Sequence, residues 1–318
     1  LLTKYAIETT GSYDFVQWQG HDFAMRGLSS VESAISSGMG HLLSFTGTDT
    51  IPAIYALEEY YSATGLIGAS VPATEHSVEC THYDYINGGE EAYLDFLLNQ
   101  YPTGIISIVS DGFDLWKFIT ETLPKFKDRI MARDGKVVIR PDSGDPVDIL
   151  CGVEPEWLQK NEQGFYISAE NPKKKGFEQK KYVSLSECKG VIELLWDIFG
   201  GTVNEYGYKV LDSHVGAIYG DSITLERAGQ ISKRLKNKGF VSTSVVFGIG
   251  SYTYQYNTRD TFGFALKATY CELDGQPKEI YKDPITDDGT KKSKKGLLLV
   301  GYEEDGTMSV RDQQTWKQ

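Results

Sequence analysis

One pattern of apolar and polar positions recurs along the chain. A short β-branched or apolar run ends in a cluster of small, polar and often acidic residues, and a helix-like segment follows. HLLSFTGTDT (41–50) precedes IPAIYALEEYY, IGASVPATEHS (67–77) precedes EEAYLDFLLNQY, and GIISIVSDGFD (104–114) precedes LWKFITETLPKF. KVVIRPDSGDP (136–146), HVGAIYGDSIT (214–224) before LERAGQISKRLKNKG, FVSTSVVFGIGS (240–251) and FGFALKATYCEL (262–273) bring the set to seven. Strands alternating with helices at this spacing predict an α/β fold with a parallel sheet and helices outside it. Seven runs exceed what a small open sheet usually holds, so the expectation is a (β/α) barrel over residues 1–273.

In such a barrel the site forms where the strands end. Asp49, His76, Asp111, Asp142, Asp221 and Gly250 all fall at those predicted ends. Asp, Ser, Gly and Thr also cap helices, which explains any one of these clusters taken alone. Six on one rim favour a site. Two stretches break the rhythm. Residues 151–183 are polar with a Lys run and read as a surface insertion. Residues 274–318 read as a basic loop followed by a hairpin turning at EEDGT, part of a second, incomplete domain.

Composition narrows the partners. The 318 residues are 40% hydrophobic and 24% charged, as in ordinary globular proteins. A net charge of -12 argues against nucleic acid, which needs clustered cations. A locally basic pocket for a phosphate remains compatible with it. Cys80, Cys151, Cys188 and Cys271 form no C-x-x-C pair, so a reducing, cytoplasmic setting is expected rather than a disulfide framework or a zinc site. No apolar run has the length of a membrane span, and no signal peptide is expected. The chain opens without Met in LLTKYAIETTGSYDF, so residues ahead of it are expected.

Among the histidines, His76 stands beside Glu75 at a strand end, where an imidazole serves as nucleophile, as acid or base, or as a structural hydrogen-bonding group. Arg140 and Asp142 are two apart and point to one side of an extended chain. Together they suit a phosphate, or a magnesium ion and a ribose diol; an intrastrand ion pair is the plainer alternative. In SDGFD, Asp114 suits the first turn of a helix. YGDS (219–222) and FGIGS (247–251) are small-residue turns whose N–H groups can cradle a phosphate. Cations near them are Arg259, Lys267, Lys282 and the cluster Lys291, Lys292, Lys294 and Lys295, the last two of which suit a solvated loop. HDFAMRG (21–27) offers Phe23, a stacking face or a core residue, and the cation Arg26.

In order along the chain, HDFAMRGLSS, FTGTDT, SVPATEHS, SIVSDGFD, VIRPDSGDP, YGDS, FGIGS, TRD, YKDP and KKSKKG closely resemble the nicotinamide phosphoribosyltransferases, a branch of the type II phosphoribosyltransferase family. The matching strings cover most of residues 20–296. The resemblance implies that family's (β/α) barrel. It also implies transfer of the phosphoribosyl group of phosphoribosyl pyrophosphate to nicotinamide, with magnesium, giving nicotinamide mononucleotide and pyrophosphate in NAD salvage. By position it implies that Phe23 stacks on the pyridine ring and that Asp49 accepts from the carboxamide NH2, with Ser107 and Arg140 near the ring. His76 would be phosphorylated by ATP, Asp111 would orient it, and Asp142 would sit by the ribose and the metal. Gly220, Asp221, Gly250 and Ser251 would hold the 5-phosphate and ribose. Arg26, Arg259, Lys267, Lys282 and Lys291 would line the phosphate channel, at a site shared across a homodimer.

Asp49 carries the choice of base, since a carboxylate placed against the carboxylate of nicotinate costs roughly several kcal/mol. A nicotinate or quinolinate phosphoribosyltransferase, or a non-catalytic member, are the alternatives. The chain departs from the family at Ala265, where a phosphate-contacting Ser is usual, and at Gly250-Ser251-Tyr252, where the family has a glycine run. The family's N-terminal part, with an aromatic residue that covers the ring from the partner subunit, is not matched.

Overall fold

The computed structural model describes residues 1–85, 89–154, 158–161, 164–167, 182–220, 223–257, 261, 266–281 and 293–315. Its centre is a six-stranded, all-parallel sheet. The strands are β1 (Gly20–Asp22), β2 (Gly47–Thr48), β3 (Gly104–Val109), β4 (Gly135–Arg140), β5 (Val215–Tyr219) and β6 (Val245–Ile249), in the spatial order β2-β1-β6-β5-β4-β3. Registers such as Ile106↔Val137, Ala217↔Val245 and His21↔Gly47 keep the strands in step, so their carboxyl ends lie along one edge.

Among the described residues the expected closed barrel is not formed. The sheet curls, but its ladder stops at β2 and β3. The stretch around 69–74 spans the gap by single parallel bridges, Gly47↔Ala69 and Ala73↔Ser107. Its hydrogen bonds run from Thr48 N–H to Ala69 O (3.0 Å) on one side and from Ser107 N–H to Pro72 O (2.9 Å) on the other. Pro72 has no N–H to give, which limits this stretch to isolated bridges where the sequence pattern predicts a full strand.

Two further corrections concern strands. The described part of FGFALKATYCEL, residues 266–273, does not enter the parallel sheet: Tyr270–Leu273 pairs antiparallel with Gln276–Glu279, and residues 262–265 lie outside the described residues. Conversely Gly20–Asp22, three residues of which two are polar, is a sheet strand that no apolar alternation announces.

Helices cover the sheet. They include α1 (Leu2–Thr10), α2 (Val31–His41), α3 (Ile51–Tyr61), α4 (His76–Tyr85), α5 (Gly89–Gln100), α6 (Pro146–Cys151), α7 (Leu185–Phe199), α8 (Leu225–Asn237) and the short α9 (Ser251–Gln255). Their starts follow capping chemistry. Ser184 and Glu187 form a reciprocal capping box on α7, Thr224 caps α8, and Asp145 caps α6 ahead of Pro146. The main core joins Ile106, Ile108, Val137, Ile139, Val215 and Phe247 of the strands to Leu94, Leu98, Leu150, Leu195 and Ile231 of the helices. Side chains on both faces of β3 are buried from Ile106 to Val109, as a sheet covered on both sides requires.

In the region read as an insertion, Leu158–Asn161, Gly164–Ile167 and Tyr182–Val183 form a small antiparallel sheet. Near the C-terminus, Leu297–Tyr302 and Met308–Gln314 form a hairpin with Glu303 N–H bonded to Thr307 O. Among the described residues no helix is long and apolar enough to cross a membrane.

Candidate active site

The sheet's carboxyl edge brings together residues far apart in sequence. Asp111 follows β3, Asp142 follows β4, and His76 is the first residue of α4, at the end of the bridging stretch. His76 Nε2 lies 3.0 Å from Asp111 Oδ1 and 3.4 Å from Asp142 Oδ1. An ionised carboxylate only accepts, so Nε2 carries the proton and the lone pair of a neutral ring sits on Nδ1. Asp111 is fully buried, and its other oxygen accepts from the Asp142 N–H at 3.1 Å and from the Ser143 hydroxyl. A buried charge needs such compensation. The ligating atoms of His76, Asp111 and Asp142 all lie within 4.8 Å of one another.

Arg140 ends β4, and its guanidinium donates to the Thr74 carbonyl, tying β4 to the chain that delivers His76. Its Nε is buried without a hydrogen-bond partner among the described residues, as is the hydroxyl of Ser107 inside β3. Buried donors left unmade are costly.

Asp49 follows β2. Its Oδ1 accepts from His21 Nε2 at 2.9 Å and from Ser70 Oγ at 2.6 Å. Burial by itself would raise its pKa, but these two bonds and the nearby His21 and Arg140 charges outweigh it and hold the carboxyl below its ordinary value. Phe23 follows β1, with its N–H bonded to Ile249 O, and it is half-buried rather than a sealed core residue. Its ring lies 4.5 Å from that of His21 and rests against Gly248, where a Cβ would come within 2.8 Å of it.

Gly220 and Gly250 also lie on this edge. Gly220 donates to Pro141 O at 3.2 Å and abuts Asp142, while Gly250 precedes α9, whose first residue Ser251 is buried. Arg26 is exposed on the turn Met25–Gly27, and Lys267 is exposed on the stretch before Tyr270. Asp221, Arg259, Ala265, Lys282 and Lys291 lie outside the described residues. Asp114 caps its helix, accepting from the Trp116 and Lys117 N–H groups at 3.1 Å, as its place in the first turn suggests. Sequence patterns did not single out His21, Ser70, Thr74 or Ser143, which hold the named residues in place. A groove of about 700 Å³, lined by residues such as Leu2, Tyr13, Phe45, Leu225 and Phe247, contains none of Phe23, Asp49, His76, Asp111, Arg140 and Asp142.

A parallel α/β sheet with carboxylates, an imidazole and a guanidinium gathered at its carboxyl edge defines the class of α/β proteins that carry their site at that edge. The profile of the nicotinate phosphoribosyltransferase (NAPRTase) family matches residues 18–317, and the chain belongs to that family. It is 47% identical over 328 aligned positions to a nicotinamide phosphoribosyltransferase of Acinetobacter baylyi, covering 100% of this chain and 59% of that protein. It is 38% identical over 290 positions to one of Mycoplasma pneumoniae, covering 90% of this chain and 55% of the relative. A third, from Mycoplasma genitalium, is 34% identical over 298 positions, 93% of this chain and 56% of the relative. The chain thus spans a little over half the length of these relatives.

Proposed function

We propose that the protein carrying this chain transfers the phosphoribosyl group of phosphoribosyl pyrophosphate to nicotinamide, forming nicotinamide mononucleotide and pyrophosphate in NAD salvage. The observation that carries the choice of base is Asp49. Its carboxyl is held ionised at the carboxyl edge of the sheet and is bonded to His21, whose ring lies 4.5 Å from the half-buried ring of Phe23. In this reading the pyridine ring lies on Phe23, and its carboxamide NH2 donates to Asp49. Ser107 and Arg140 supply the buried donors that otherwise lack partners. Nicotinate in the same place would set its carboxylate against Asp49, a repulsion of roughly several kcal/mol in a closed site. The names of the three relatives agree with this choice.

In the transfer the pyridine nitrogen gives its electron pair to ribose C1, and the C1–O bond breaks with its pair leaving on pyrophosphate. Positive charge grows on the sugar and negative charge on the leaving group, so the protein contributes position and fixed charge. Asp142, next to Gly220, faces the ribose, and Gly220, Asp221, Gly250 and Ser251 hold its 5-phosphate. Arg26, Arg259, Lys267, Lys282 and Lys291 line the path of the pyrophosphate. Carboxylate oxygen suits a hard cation, and Asp142 is the carboxylate of the cluster with an exposed fraction, 23%. Magnesium there would neutralise charge on the pyrophosphate.

His76 takes the γ-phosphoryl group of ATP on Nδ1, releasing ADP, while Asp111 holds Nε2–H and stabilises the modified ring. The working protein is a cytoplasmic homodimer whose sites are shared between subunits. The test is pyrophosphate release by the full-length protein with nicotinamide, nicotinate or quinolinate, each with and without ATP. Turnover of nicotinamide, raised by ATP, is expected. Faster turnover of nicotinate, or none with any base, overturns the proposal.

A further inference from the structure

Asp49 is not simply present at the mouth of the sheet; one of its oxygens is already spoken for. Oδ1 accepts from His21 Nε2 at 2.9 Å and from Ser70 Oγ at 2.6 Å. Two donors converging on one oxygen fix the plane and the rotation of the carboxyl group. Among the described residues nothing donates to Oδ2, and the side chain of Asp49 keeps half of its exposure, 50%. The carboxylate is therefore clamped by one oxygen and offers the other to solvent.

The two clamps come from different segments, one a strand and one the bridging stretch. His21 lies in β1, paired with Gly47 of β2, and its side chain is 11% exposed. A Cβ on Gly47 would come within 2.8 Å of His21 Nδ1, so the imidazole fits only because residue 47 has no side chain. On its other side the ring packs against Phe23 at 4.5 Å, with the planes tilted by 34°. Ser70 belongs to the bridging stretch, next to Ala69, which pairs with Gly47. One imidazole thus touches both the aromatic face and the carboxylate.

We propose that His21 and Ser70 are specificity-determining positioning residues: by engaging Oδ1 of Asp49 they present Oδ2 to the NH2 group of a carboxamide, and His21 sets the spacing between that oxygen and the face of Phe23. The inference rests on the reading of Asp49 given above. It deepens that reading, because an unclamped carboxylate could swing to solvent and discriminate poorly between an amide and an acid. Holding the acceptor beforehand removes the ordering cost from binding.

The test uses the full-length protein and four variants, with dissociation constants for nicotinamide and nicotinate by calorimetry, KM for phosphoribosyl pyrophosphate, and melting temperature. His21→Phe keeps a ring against Phe23 and removes the donor. Ser70→Ala removes the other donor at an exposed position. Ser70→Thr restores a hydroxyl. Asp49→Asn tests the underlying reading. Loss of a hydrogen bond to a charged acceptor predicts that His21→Phe and Ser70→Ala each weaken nicotinamide by about 10-fold. The preference over nicotinate should shrink, KM for phosphoribosyl pyrophosphate should stay within about twofold, and Ser70→Thr should recover most of the loss. If both clamp variants keep the wild-type preference while Asp49→Asn loses it, the positioning role is wrong and the reading of Asp49 stands. If Asp49→Asn also keeps the preference, the reading of Asp49 falls and this inference falls with it.

Discussion

His76 and Asp111 meet in a single hydrogen bond, Nε2 to Oδ1 at 3.0 Å, and the carboxylate that receives it is fully buried. Its second oxygen is held by the Asp142 N–H and the Ser143 hydroxyl, so it cannot turn away from the imidazole without breaking those bonds. Asp111→Asn keeps the shape, but the Asp142 N–H and the Ser143 hydroxyl hold the amide oxygen on their side, so the NH2 group faces His76 Nε2. The ring then loses the acceptor that fixes its tautomer. We expect ATP-dependent phosphate incorporation to fall about 100-fold or more, while transfer without ATP falls less. Acid-labile label from γ-labelled ATP, with His76→Ala as the blank, measures this. Wild-type labelling of Asp111→Asn would remove the orienting role.

Asp49→Asn should lower the nicotinamide-to-nicotinate ratio of kcat/KM by at least about 10-fold, the repulsive element being lost along with part of the acceptor. The pH dependence has a definite sign. A carboxyl held below its ordinary value stays ionised as the pH drops from 8 to 5, so the preference should be flat across that range. It should weaken only below the ordinary Asp value of about 4. The same depressed value means that Asp49 supports folding above pH 4 and loses that contribution as the pH falls through its folded value. Competition assays at pH 5, 6.5 and 8 check this; a preference that already decays by pH 5 contradicts the clamped, ionised form.

Long apolar strands bounded by turn residues were legible in the sequence. GIISIV and KVVIR read as β3 and β4, and the acidic residues that follow them fall on one edge because parallel strands share a direction. The stretch 67–77 looked like an equal member, yet Pro72 interrupts its hydrogen bonding and only single bridges form. Strand β1 was hidden for the opposite reason: Gly-His-Asp has no alternation, and its pairing with β2 and β6 is decided by tertiary contacts. The same limit hid the residues that support the site. A serine such as Ser143 or Ser70 has no sequence mark of its own, and its part appears only when a carboxylate from another strand is brought beside it.

Gly248 gives a test of the aromatic face that leaves Phe23 itself unchanged. A Cβ there would meet both the Phe23 ring and the Tyr219 carbonyl oxygen at 2.8 Å. The ring can tilt from its seat but the Tyr219 carbonyl moves only with β5, so Gly248→Ala should displace the ring and also strain the β5–β6 pairing, at an overpacking cost of at least about 1–3 kcal/mol. KM for nicotinamide should rise several-fold, roughly in line with that cost, and KM for phosphoribosyl pyrophosphate should change little. Steady-state kinetics with each substrate varied in turn separates the two. An equal rise in both constants would indicate general damage to the edge rather than displacement of the stacking face.

Glu90 is a destabilising element that is not one of the site residues. It sits in the first turn of α5, where burial, and secondarily the charge of Asp114, push its pKa from an ordinary 4.5 up to about 7, with Lys117 opposing. Its Oε1 is buried without a hydrogen-bond partner among the described residues. Between pH 4.5 and 7 the unfolded chain releases this proton and the folded chain keeps it, so stability falls as the pH rises through that window. Above it both states are ionised and the penalty is constant. Glu90→Gln keeps the size and removes the titration. The variant should match the wild type near pH 4.5 and exceed it by about 1–3 kcal/mol at pH 8, with no change in the nicotinamide preference. Urea unfolding at a series of pH values gives the difference directly; two curves that stay parallel from pH 4.5 to 8 would show that Glu90 ionises in the folded protein as readily as in the unfolded chain.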